Sequence, residues 1–200
     1  EGCEVKLADD GEILVKGPNV MLGYYKHDDK TAEVMQGDWF FTGDIGTWVT
    51  GPKNQPFLKI TDRKKELLKT SGGKYVAPAP IESKFKESFF IEQMMVVGEG
   101  EKFVSALIVP AYPTLEDWAR EQEIKYETRN DLMRNERVKA LFDSIVAENN
   151  PNFSHIEQIK KFALLLDEWT TDSGELTPTM KLKRRIITEK YKDRIAEIYK

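Results

Sequence analysis

Hydrophobic and polar positions follow two different periods along the chain. Over residues 4–60 the pattern is short and strand-like: 12–16, 40–49 and 57–60 carry apolar or aromatic residues, separated by turn-forming stretches such as KGPN and TGPKNQP. Only 30–35 reads as helix in that part. After Asp62 the pattern becomes mixed. The stretches MMVVG, SALIVP and KFALLL predict strands, while 80–87, 114–123 and 135–148 return their apolar residues at helical spacing. One last helix is predicted from near Lys183, because Ile187, Tyr191, Ile195 and Ile198 or Tyr199 form a single apolar stripe. The fold class implied is α+β, a small β-rich segment over 1–62 followed by a compact mixed α/β domain over 63–200. The chain opens on Glu1, without a signal-peptide pattern, and runs directly into strand-like sequence, so it reads as a fragment.

Composition sharpens this picture in two places. The 200 residues are 40% hydrophobic and 32% charged, enough apolar chain to bury a core. The longest apolar runs, such as 162–166, fall far short of the roughly 20 residues that span a bilayer. A single cysteine, Cys3, excludes an internal disulfide and fits a reducing compartment, which makes the cytoplasm the default location. Charge is unevenly placed: the formal net is −4, yet 181–200 holds eight cations and three acids. A phosphate-bearing small molecule, a nucleic acid, an anionic membrane or a solvated helix start would each suit such a cluster. No aromatic stacking surface is interleaved with the cations and no wider basic stripe continues them, which argues against nucleic acid. Peripheral contact with the inner face of a membrane stays open.

Standard catalytic constellations are mostly absent. SGGKYV has a glycine and a lysine at the end of a loop, but a Walker phosphate loop needs glycine where Leu68 stands and a hydroxyl residue where Tyr75 stands. With only His27, His155 and Cys3 available, neither a structural zinc site nor a histidine-based triad is supported, and no metal site is expected in this chain. Both histidines read as surface residues.

What remains is a spaced series of motifs: GEILVKGPNVMLGYYK at 11–26, DWFFTGDIG at 38–46, ITDRKKELLKTSGGKYVAPAPIE at 60–82 and GELTPTMKLKRR at 174–185. In order and over the whole chain these resemble the late motifs of the adenylate-forming acyl-CoA synthetases. The TSGGKYVAPAPIE wording, the long insertion over 112–150 and the following FALLLDEWT look most like the bacterial long-chain fatty acid branch. The resemblance implies the tail of a large AMP-binding domain over 1–62 and a mobile C-terminal lid domain over 63–200.

Each motif also has its own chemistry. In Thr42-Gly43-Asp44 the glycine permits a tight turn, and an acceptor-only carboxylate can take two hydrogen bonds from vicinal hydroxyls. The alternative is an ordinary turn with a solvated acid. The resemblance implies that Asp44 binds the ribose of ATP and of the acyl-adenylate, with Arg63 assisting. It places the interdomain hinge at Lys65, and Gly72, Gly73 and Lys74 beside the pantetheine channel for CoA. Read without it, that stretch is a charged strand with a glycine hairpin turn. The resemblance further implies that Lys181 is the catalytic lysine of adenylation, with Lys183 the neighbouring alternative. The family usually has glycine before this lysine, where this chain has Met180.

The implied reaction joins a fatty acid to the α-phosphate of ATP with loss of pyrophosphate, and the CoA thiol then displaces AMP. Magnesium, the triphosphate loop and the fatty-acid tunnel are expected upstream, in the large domain that would be the chain's partner, and the fragment alone is expected to be inactive. Two other readings stay open: a different acyl-adenylating ligase or carrier-protein loading domain, and a stand-alone, non-catalytic interaction module.

Overall fold

The computed structural model describes residues 2–200, which divide into two compact units, the first ending at Leu67 and the second spanning Leu68–Lys200. The first unit is an antiparallel sheet. Strands β1 (Glu4–Leu7) and β2 (Glu12–Lys16) pair, and the short helix α1 (Asp28–Val34) leads into β3 (Met35–Gln36). The long β4 (Trp39–Thr50) then pairs with β2, β3 and β5 (Pro56–Arg63). Its buried apolar residues are few, chiefly Ile13, Leu14 and Ile45.

The second unit begins with a two-stranded hairpin, β6 (Leu68–Lys69) and β7 (Tyr75–Val76), followed by α2 (Pro78–Phe85). Its centre is a three-stranded sheet of β8 (Ile91–Val97), β9 (Ser105–Pro110) and β10 (Phe162–Leu164), in the order β10-β9-β8. β8 runs antiparallel to β9 and β10 parallel to it. The β9–β10 connection contains α3 (Tyr112–Glu121), α4 (Arg129–Arg134) and α5 (Glu136–Asn149), and the chain ends in α6 (Arg184–Lys190) and α7 (Lys192–Tyr199).

The period of two in β8 and β9 explains this layering. Met94, Val96, Ala106 and Ile108 join Ile81, Phe85, Leu115, Val138 and Phe142 in one core, while Met95, Val97, Leu107 and Val109 join Trp169, Ile187 and Ile198 in another. A strand covered on both faces needs apolar residues on both, so SALIVP is a continuous hydrophobic run rather than an alternating one. The sequence thus specifies a helix–sheet–helix sandwich.

The α+β reading and the three long amphipathic helices agree with this structure to within a few residues. Two features differ. The segment around Arg129–Arg134 has no long apolar period, yet a capping box between Thr128 and Asp131 starts α4 there and Leu132 buries it. The expected single C-terminal helix is two helices, broken at Tyr191 (φ −108°, ψ 20°), whose ring packs 6.5 Å from that of Trp169. The apolar stripe survives the break, with Ile187 and Ile198 buried and Tyr191, Ile195 and Tyr199 packed beside them.

Local stability should follow the unequal cores. In native-state hydrogen exchange of the 200-residue chain, the slowest amides should belong to β8 and β9, and those before Leu67 should exchange earlier. Uniform protection across Leu67 and Leu68 would contradict the assignment of the main core to the second unit.

Candidate functional site

In the first unit, Asp44 and Arg63 are cross-strand partners on β4 and β5, and Arg63 Nε donates to Asp44 Oδ1 at 2.8 Å. The sheet thus brings together two residues that sequence reading had paired. Gly43 sits at φ +72°, a conformation that side chains rarely adopt. Its N–H donates to Glu12 Oε1 at 2.9 Å, and Thr42 Oγ1 donates to the Ile13 carbonyl at 2.8 Å while accepting from Asp44 N at 3.1 Å. Glu12 is buried, and Lys64 Nζ bridges it to Asp10 at 2.7 Å on each side. Hydrogen bonding to Lys64 lowers the Asp10 pKa, and the two carboxylates raise that of Lys64. Both sides of the Asp44 turn are therefore fixed, and an ionised carboxylate with about four lone-pair sites retains acceptor capacity beyond its bond to Arg63.

Lys65 lies exposed in a short 3-10 turn, Lys64–Glu66, immediately before the boundary between the units. Gly72, Gly73 and Lys74 are exposed in the β6–β7 turn, closed by Thr70 N donating to the Lys74 carbonyl at 2.9 Å and Gly73 N to the Thr70 carbonyl at 2.8 Å. Gly73 has φ +74°, and a Cβ built there meets nothing within 4 Å. Its glycine is thus required by backbone conformation, with open space in front of it. Bonds from Ser71 N to the Glu101 carbonyl and from Gly100 N to the Lys69 carbonyl, each 2.8 Å, fasten this hairpin to the β8–β9 loop.

Lys181 stands at the exposed end of a second tight hairpin. Leu176 and Leu182 form an antiparallel bridge, Thr177 N donates to the Lys181 carbonyl at 2.8 Å, and Lys181 N donates back to Thr177 Oγ1 at 3.0 Å. Met180 has φ +59°, so the position before the lysine is left-handed. Below this tip the polar side chains turn inward. Arg184 grips Glu82 of α2 with two bonds of 2.7 and 2.8 Å, and Glu82 Oε1 also accepts from Val96 N at 2.8 Å. Glu175 is fully buried; it accepts from Lys190 Nζ at 2.5 Å and from the Ser173 hydroxyl. Burial disfavours the Glu175 charge, but the hydrogen bonds from Lys190 and Ser173 outweigh it and hold the carboxyl at about 2. The basic cluster is therefore divided in its roles: Arg184 and Lys190 are tied to buried carboxylates, and Lys181 is exposed.

A profile of the AMP-binding enzyme C-terminal domain matches residues 65–200. The chain belongs to this family. It is 40% identical over 199 residues to a long-chain-fatty-acid–CoA ligase of Mycobacterium tuberculosis, covering 99% of this chain and 32% of that relative. It is 38% identical over 193 residues to long-chain-fatty-acid–CoA ligase 6 of Mus musculus, covering 95% of this chain and 27% of that one. The chain thus spans about a third of the length of the curated relatives it matches. Among solved structures, the adenylation domain of a carboxylate reductase from Mycobacterium chelonae superimposes with TM-score 0.71 at 22% identity, covering 100% of this chain and 31% of that one. The A domain of the carboxylic acid reductase from Segniliparus rugosus, in complex with AMP and a co-purified carboxylic acid, gives TM-score 0.72 at 22% identity over 100% of this chain and 31% of its own. These two structures establish the likeness of fold.

Asp44 and Arg63 belong to the first unit, and Lys74 and Lys181 to two separately anchored hairpins of the second. Sequence reading missed the supporting residues Glu12, Lys64, Glu82, Glu175 and Lys190, because their partners lie up to 102 positions away. A signal existed for four of them, since Glu12, Lys64, Glu82 and Glu175 lie inside quoted motifs, and only Lys190 lies outside. A large cavity of about 790 Å³ lies elsewhere, beside β10 between Val146 and Ile198, and none of the residues named for nucleotide, CoA or catalysis lines it. The site residues expected from sequence lie on the two hairpins and on the Asp44 turn. Among the described residues no group of three or more His, Cys, Asp or Glu could hold a metal ion. No helix among them is long and apolar enough to cross a membrane.

Two measurements follow from this geometry. A carboxyl lowered from 4.5 to about 2 contributes stability that is present above its unfolded value and is lost as pH falls through the folded one. The second unit should therefore lose stability between about pH 4.5 and pH 2, and Glu175→Gln should flatten that part of a melting-temperature profile. Met180→Gly should raise stability by about 0.5–1 kcal/mol by relieving a left-handed backbone, whereas Met180→Ile should lower it, as chemical denaturation would record.

Proposed function

We propose that the chain is the C-terminal part of an AMP-forming long-chain fatty acid CoA ligase of the cytoplasm, with its tail of the large domain over 1–62 and its mobile lid over 63–200. The observation that carries this reading is the Thr177–Lys181 hairpin, which holds Lys181 exposed at its end while the nearby Arg184 and Lys190 are paired with the buried carboxylates of Glu82 and Glu175. The 40% identity to a long-chain-fatty-acid–CoA ligase across 99% of the chain supports the choice of substrate class.

In this reading the Lys181 ammonium lies between the fatty-acid carboxylate and the α-phosphate of ATP. It offsets the negative charge that develops as the carboxylate oxygen bonds to phosphorus and pyrophosphate leaves. A preorganised donor of this kind typically contributes about 2.7–4 kcal/mol to the transition state. Asp44 accepts from the ribose hydroxyls, and Arg63, already hydrogen-bonded to it, keeps the carboxylate oriented. Rotation about Lys65 withdraws Lys181 and presents Gly72, Gly73 and Lys74 to the pantetheine arm. The CoA thiolate then attacks the acyl carbonyl and AMP leaves. The triphosphate loop, the magnesium site and the acyl tunnel belong to the upstream two-thirds of the enzyme, so the 200 residues alone carry no activity.

Separate measurement of the half-reactions in the full-length enzyme tests these roles. Lys181→Ala should slow pyrophosphate release by about 10² or more while leaving conversion of supplied acyl-adenylate and CoA intact. Lys65→Pro should give the opposite pattern, because proline fixes φ near −65° and denies the hinge its second state. Equal loss of both steps in Lys181→Ala, or the same defect in Lys183→Ala, would reject the assignment.

A further inference from the structure

The buried carboxylate of Glu175 has no part in the chemistry just described, although it lies directly beneath the hairpin that bears Lys181. It is fully buried and its surroundings are specific. One oxygen accepts from Lys190 at the end of α6, and the other from Ser173. Ser173 is itself held, its N–H donating to Thr170 Oγ1 at 3.0 Å and its Oγ accepting from Thr170 N at 3.2 Å. Trp169, one residue earlier, is clamped to β8 by a pair of bonds with the Gln93 side-chain amide at 2.7 and 2.8 Å. A continuous polar path therefore leads from the central sheet through Trp169, Thr170 and Ser173 to Glu175.

From Glu175 the path enters both legs of the hairpin. Its own carbonyl accepts from Lys183 N at 2.8 Å, which closes the base across from Leu176, and Leu176 N donates back to the Thr170 carbonyl at 3.1 Å. Its side chain ties the leading leg to α6, the helix that the trailing leg enters. Closure is thus made twice, once through the backbone and once through the Glu175–Lys190 pair. A charge pair buried on one side is poor evidence of net stability, since desolvation offsets much of the attraction, but it fixes geometry because the buried carboxylate does not tolerate losing its cation.

We infer that Glu175 is a positioning residue for Lys181, its buried carboxylate acting through the pair with Lys190 to hold the hairpin in one orientation on the lid. The inference rests on the reading of Lys181 as the adenylation lysine. It makes the hairpin a rigid projection whose tip moves only with the whole domain, so that adenylation depends on Glu175 and the second half-reaction does not.

The test combines two readouts. In the 200-residue chain, Glu175→Gln and Lys190→Ala should each raise the exchange rates of the Thr177, Met180 and Lys183 amides at least tenfold while β8 and β9 stay protected. Lys190→Arg, which keeps a cation within reach of the carboxylate, should restore most of that protection. In the full-length enzyme at saturating substrates, Glu175→Gln should slow adenylation about 10- to 100-fold, the scale of a small misplacement of a catalytic group, without slowing thioester formation from supplied acyl-adenylate. Unchanged hairpin exchange, or an equal loss of protection throughout the second unit, would overturn the inference. So would equal slowing of both half-reactions. A wild-type enzyme that made no acyl-adenylate would instead overturn the ligase reading, and the exchange measurement would still decide whether Glu175 fixes the hairpin.

Discussion

The second unit depends on burying a three-stranded sheet on both faces. β9 is buried over its whole length, Ser105–Pro110, and every residue of such a strand must meet an apolar neighbour above or below. One face is covered by α2 to α5 and the other by α6, α7 and Trp169. Removing either layer would expose part of a core whose burial stabilises the domain by about 25 cal/mol per Å² of apolar surface. The long β9–β10 connection is therefore not an appendage: Leu115, Leu132, Val138 and Phe142 from it complete one of the two cores.

A sheet of three strands leaves its backbone edges exposed, and the structure meets that cost with side chains that also serve the candidate site. Glu82 accepts from Val96 N on the open edge of β8 and uses both its oxygens to hold Arg184 at the start of α6. Gln93 of the same strand holds the backbone of Trp169. Satisfying a buried N–H and fixing a functional loop are accomplished by the same atoms, which accounts for a carboxylate as deeply buried as Glu82. The first unit solves a similar problem on a smaller scale. There Glu12 satisfies Gly43 N within a turn that the positive φ has taken out of the regular ladder, and Lys64 neutralises the buried charge.

The two hairpins of the second unit show how similar backbone demands are met by different residues. Gly73 occupies its left-handed position without a side chain, in open space. Met180 occupies a comparable one with an exposed side chain. The Thr177 hydroxyl accepting from Lys181 N, together with the Leu176–Leu182 bridge, over-determines that turn enough to hold a residue with a Cβ there. Preorganisation of the lysine thus comes from the loop's own hydrogen bonds as well as from the anchors beneath it.

Read alone, the sequence determined the periodic elements, because apolar spacing is set by the geometry of one helix or one strand at a time. It also singled out the motif residues Asp44, Arg63, Gly72, Gly73, Lys74 and Lys181 as candidates, through the order of their motifs along the chain. It missed α4, which is set by a cap and one buried leucine rather than by periodicity, and it ran α6 and α7 together because the apolar stripe continues across the break at Tyr191. Tertiary structure alone decided which cations of the basic end are structural. Arg184 and Lys190 look in sequence like Lys181 and Lys183, and only the approach of Glu82 and Glu175, 102 and 15 positions away, turns two of the charges inward. A charge is assigned its role by what the fold places within about 3 Å of it, and that separation in space has no counterpart in spacing along the chain.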